Sequence, residues 1–139
     1  MSRPSPELLR GVPLFAGLGG DELERIASEF RERSFGEGDR IAIEGAEGLT
    51  FFVIEEGEVS VVAQGTEVAR LGPGDHFGEI ALVDKRPRTA TVTALGPVRA
   101  HMLPIWSFRP IVEASPELGW KLLESLAGRL RDIEERSAA

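Results

Sequence analysis

Between Gly20 and Phe30 the apolar positions Leu23, Ile26, Ala27 and Phe30 recur at spacings of three and four. This pattern predicts an amphipathic helix with Asp21 as its N-cap. Upstream, Leu8, Leu9, Val12, Leu14 and Phe15 are interrupted by Gly11, Pro13 and Gly17, which predicts a short helix and a turn packed on the main body. From Arg33 onward the texture changes to short apolar runs punctuated by glycine, the mark of strands. Phe51–Ile54 and Val59–Val62 flank Glu55-Glu56-Gly57-Glu58, which reads as a hairpin, and Gln64-Gly65-Thr66 turns the chain toward Val68 and Leu71. Further strands are expected at Thr89–Ala94 and Val98–Leu103. Many short strands with close glycine turns point to a sandwich or jelly roll. After Pro104 the helical period returns in IWSFRPIVEA and again from Glu117, with Ser115 placed to cap and Pro116 to open the second helix.

Composition narrows the function classes. A chain of 139 residues is the size of one domain, and 42% apolar with 28% charged residues is a soluble globular balance. No run approaches the ~20 apolar residues that cross a bilayer. Met1–Arg10 has polar and proline residues where a secretory signal needs an apolar core, so a cytoplasmic protein is expected, without a membrane partner. Cysteine is absent, and His76 and His101 have no ligand pattern around them, so no metal, catalytic thiol or disulfide is expected. A formal charge of -7 opposes binding to a nucleic-acid duplex. It does not oppose a small anion, which one cation and a few backbone N–H groups can hold.

The chemistry is concentrated in Gly72–Thr93, GPGDHFGEIALVDKRPRTATVT. Phe77-Gly78-Glu79 is expected to end a strand and open a short helical segment, IALVD, whose first amides attract an anion. Gly78 leaves the backbone open to close approach. Arg88, nine residues beyond Glu79, offers a planar fork matched to two oxygens of a singly charged cyclic phosphodiester. Glu79 cannot share that role, but a carboxylate accepts well from a ribose 2′-hydroxyl. The pair suits the two ends of a ribose cyclic phosphate.

FGEIALVDKRPRTATVTA resembles the phosphate-binding cassette of the cyclic nucleotide-binding domain family, which includes kinase regulatory subunits, nucleotide-gated channels and bacterial catabolite-activator-type regulators. The opening VPLFAGL resembles the family's start, and FFVIEEGEVSVV its central hairpin. The resemblance implies an α+β fold: an antiparallel eight-stranded β-roll with an N-terminal helix and two C-terminal helices. Residues 1–139 then form one domain, divided into a helical region 1–31, a β-roll 32–103 with its cassette at 77–90, and helices over 104–136. It implies a ligand site of Phe77, Gly78, Glu79, Ile80, Ala81, Arg88, Thr89 and Ala90, with Val61 and Val68 against the base. No cofactor beyond the ligand, cAMP or cGMP, is expected. Bacterial relatives continue into a helix-turn-helix domain, whereas this chain stops at Ala139, so a stand-alone sensor passing its signal to an effector protein is expected. Ile133 and Glu134 stand where some relatives place small hydroxyl residues that touch the base, so the motif does not choose between cAMP and cGMP.

Blander readings stand beside these. A lone loop arginine is usually a solvated charge, but Arg88 comes with FGE before it and TATV after it. Gly72, Gly74 and Gly78 do not have the GxGxxG spacing of a dinucleotide fold. His76 reads as a half-buried structural residue, and no catalytic group is recognisable around it, so no enzyme is expected. Trp106 and Trp120 read as packing anchors of the last two helices. Leu123, Leu126, Leu130 and Ile133 form a short heptad stripe that can pack on the β-roll, act as a lid over the base through Leu130 and Ile133, or pair with a twin in a homodimer. The rival functions are a ligand-free interaction module of the same fold and the excised sensor half of a transcription factor.

Overall fold

The computed structural model describes residues 3–78 and 87–138. The chain opens with α1 (Pro6–Arg10), whose first turn is capped by Ser5 Oγ accepting from the Leu8 N–H at 3.1 Å. A 3-10 turn at Pro13–Phe15 follows, then α2 (Gly20–Ala27). The expected cap at Asp21 is corrected: Gly19 is the N-cap, because Glu22 Oε1 reaches back to accept from the Gly19 N–H at 3.0 Å and starts the helix earlier. Phe30 lies past the helix end yet is buried, so its apolar character serves packing rather than helix periodicity.

Among the described residues, eight antiparallel strands form two four-stranded sheets. They are β1 (Arg31–Phe35), β2 (Arg40–Ala42), β3 (Thr50–Glu56), β4 (Val59–Ala63), β5 (Thr66–Leu71), β6 (His76–Phe77), β7 (Thr91–Ala94) and β8 (Val98–Pro104). One sheet runs β1-β8-β3-β6 and the other β2-β7-β4-β5. Strand β3 is apolar on both sides because both its faces are covered. Phe51 and Val53 join Phe15, Leu23, Leu103, Phe108 and Leu118 in a core under the helices, while Phe52 and Ile54 join Val59, Val92 and Ala100 in a core between the sheets.

The expected hairpin across Glu55–Glu58 is also corrected. β3 pairs with β6 and β8, and β4 pairs with β5 and β7, so the EEGE turn carries the chain from one sheet to the other. Gly57, at φ 93°, makes this corner; a Cβ there would lie 2.9 Å from Val98 Cα. The hairpin proper is β4–β5, closed by Gln64-Gly65.

Helices α3 (Ile105–Ala114) and α4 (Pro116–Ala138) finish the fold, with Ser115 Oγ accepting from the Leu118 N–H at 3.4 Å at the start of α4. Trp106 and Trp120 do not anchor them: both are 65% exposed. The inward faces are Ile105, Phe108 and Ile111 on α3 and Leu118 and Leu122 on α4, and at ~100° per residue the two tryptophans point elsewhere. Trp120 and Leu123 line a groove of about 640 Å³ between α3 and α4.

Lys121 Nζ donates to Glu22 Oε1 at 2.8 Å and ties α4 to α2. The Lys121 hydrogen bond, helped by the Gly19 N–H, holds the Glu22 carboxyl below the usual carboxylate range, and Glu22 in turn raises Lys121. A lowered carboxyl pKa contributes stability above the unfolded value that is lost as pH falls through the folded one. A raised ammonium pKa contributes below its unfolded value and is lost as pH climbs through the folded one. The tie is therefore intact at neutral pH. Lys121→Ala is expected to lower the melting temperature slightly at pH 7, with the gap to the parent closing as Glu22 protonates; a gap that persists well below the carboxylate range would assign the loss to packing instead.

Candidate functional site

Strand β6 ends where the site begins. Phe77 pairs with Phe52 and stacks on its ring at 4.8 Å and 16°, and His76 is half-buried, 5.9 Å from the Phe51 ring. These contacts fix the position of Gly78. At φ 83° Gly78 is in the left-handed region, and a Cβ there would lie 2.9 Å from the Thr50 carbonyl oxygen and 3.2 Å from Arg88 Cζ. The guanidinium of Arg88 thus lies against the bare Cα of Gly78, and the chain does return to the end of β6.

Arg88 is held by its backbone. Its N–H donates to the Ala46 carbonyl at 2.7 Å and its carbonyl accepts from the Gly45 N–H at 2.8 Å, while the preceding Pro87 forms a β-bridge with Glu47. At the other end of the side chain, Nη2 donates to the Thr50 carbonyl. The group is half-buried, and this burial lowers its pKa. Among the described residues no carboxylate forms an ion pair with it. A partly desolvated guanidinium favours an anion that presents two oxygens to its planar fork.

Thr89 is exposed and Ala90 half-buried in the bend that leads to β7. Glu79, Ile80 and Ala81, and with them the expected helical segment IALVD, lie outside the described residues. The two valines differ. Val61 packs against the core between the sheets, while Val68 is 61% exposed. The cause is a bulge: Val61 pairs with Ala69 and Val62 with Glu67, leaving Val68 as the extra residue of β5. Leu130 and Ile133 are 57% and 55% exposed, on a stretch of α4 that stands clear of the body, so the structure does not bring them onto the β-roll. Sequence reasoning missed Gly45, Ala46 and Thr50, which act through backbone groups; the glycines of Glu44-Gly45-Ala46-Glu47-Gly48 are the one signal they leave.

Residues 32–115 match the family of cyclic nucleotide-binding domains. The chain belongs to that family. It is 36% identical over 128 residues to a cAMP-dependent protein kinase regulatory subunit from Mycosarcoma maydis, covering 89% of this chain and 23% of that protein. This chain therefore spans about a quarter of that relative's length. Among solved structures, the N-terminal domain of a transcriptional regulator from Streptomyces coelicolor A3(2) superposes with a TM-score of 0.84 at 33% identity, covering 93% of each chain. The Catabolite Activator Protein of Thermus thermophilus gives 0.73 at 29% identity, covering 91% of this cyclic nucleotide-binding domain and 62% of that chain.

Proposed function

We propose that this domain reversibly binds cAMP or cGMP and acts as a regulatory sensor, without chemistry on the ligand. The observation that carries the reading is the half-buried Arg88 guanidinium seated against Gly78, a cation beside a backbone with no side chain in the way. In this account Arg88 takes the cyclic phosphate together with the amides that follow Gly78, through Ile80 and Ala81, and Glu79 accepts from the ribose 2′-hydroxyl. Val61 and Val68 flank the base. Thr89 can accept from a guanine amino group, whereas the name of the fungal relative points to cAMP.

Ligand capture draws the cassette inward, and the C-terminal part of α4 moves over the base through Leu130 and Ile133. The signal then passes to a partner protein. Hydrogen exchange with and without saturating cAMP or cGMP tests this reading. Slower exchange is expected in residues 87–94 and along 117–136, because a closing lid protects its amides. Equal exchange throughout contradicts binding, and protection confined to 87–94 contradicts the lid.

A further inference from the structure

We propose that Glu44 is a positioning residue that braces the Arg88 arm against the β4–β5 hairpin and so sets the distance between the phosphate cation and the base wall. The inference rests on the cyclic-nucleotide reading above and adds a residue to it. Glu44 follows β2 in an exposed turn closed by the Ala46 N–H donating to the Ile43 carbonyl at 3.0 Å. Its own N–H donates to Thr91 Oγ1 at 3.0 Å, at the start of β7. Its carboxylate Oε1 accepts from the Gln64 N–H at 3.0 Å, twenty residues away.

Gln64 is the tip of the hairpin and carries a φ of 51°, the one positive value outside glycine among the described residues; Gly65 follows at 80°. Two central residues in the left-handed region form a type I′ turn, in which the first central N–H has no partner in the ladder of its own hairpin. Glu44 supplies that partner. The next two residues of the same turn, Gly45 and Ala46, make the two backbone hydrogen bonds that hold Arg88. Three consecutive residues therefore clasp both arms of the site: one side the phosphate-reading Arg88, the other the hairpin that carries Val61 and Val68.

A cyclic nucleotide is rigid, so an arm that drifts relative to the base wall loses one contact when it makes the other. Glu44 acts through an accepting oxygen, and its charge would repel a phosphate rather than hold it.

The test is calorimetric binding of cAMP and cGMP to the full chain and to Glu44→Ala and Glu44→Gln, with melting temperatures measured alongside. Glu44→Ala is expected to weaken binding roughly three- to tenfold, the scale of one charge-assisted hydrogen bond at the surface. Glu44→Gln keeps an oxygen that accepts from the Gln64 N–H, so it is expected to bind within about twofold of the parent. A parent-like affinity in Glu44→Ala overturns the brace, as does a Glu44→Gln as weak as Glu44→Ala. Tighter binding in both variants would show instead that the carboxylate acts only by repulsion. If the parent binds neither nucleotide, the cyclic-nucleotide reading itself falls and this role with it.

Discussion

Arg88→Ala is expected to weaken cyclic-nucleotide binding by about 2 to 5 kcal/mol, roughly thirty- to several-thousand-fold, because it leaves a buried phosphate charge without its partner. The geometry sets the size of the effect. The guanidinium is half-buried, its pKa is lowered by that burial, and it lies against the bare Cα of Gly78. Arg88→Lys is expected to restore little, since an ammonium is a point charge without the planar fork that meets two oxygens at once. Neither variant should unfold the protein: Arg88 belongs to neither hydrophobic core, and its backbone hydrogen bonds to Gly45 and Ala46 survive the substitution. Calorimetric titration separates these outcomes. Near-normal affinity in either variant removes Arg88 from the site.

The helices after Pro104 were legible because their signals are local: Ser115 and Pro116 mark the start of α4 at the position where the structure has it. The strand runs were legible for the same reason, but their partners were not. A turn signal such as EEGE says that the chain bends, and nothing in four residues tells whether the next strand pairs with the last one or crosses to another sheet. The crossing is enforced by long-range contact, with Gly57 pressed against Val98. Trp106 and Trp120 misled because size and aromaticity suggest burial, whereas the faces of α3 and α4 are set by Phe108, Ile111, Leu118 and Leu122.

In the site, Gly78 and Arg88 could be picked out because each has a residue-specific reason to be there, a bare Cα and a planar fork. The clasp at Glu44–Ala46 could not, since two of its four long-range links are backbone to backbone and leave no mark on side-chain type. The bulge at Val68 was hidden in the same way. Alternation in TEVARL does not reveal which residue the ladder skips.

The ring itself provides the second large effect. A cyclic phosphodiester carries one negative charge and presents two free oxygens. Opening it to a linear 5′-monophosphate adds a third oxygen and brings the charge to about −1.5 to −2 at neutral pH. One half-buried guanidinium matches the first and leaves the second with excess charge in a niche where burial is costly. Linear AMP is therefore expected to bind at least roughly a hundredfold more weakly than the cyclic nucleotide. Titrating the intact protein with cAMP, cGMP and linear AMP in one calorimetric series tests the account most directly: it predicts saturable one-site binding of a cyclic nucleotide and little or none of linear AMP, and it is contradicted by equal affinity for the open and closed rings or by no binding of either cyclic nucleotide.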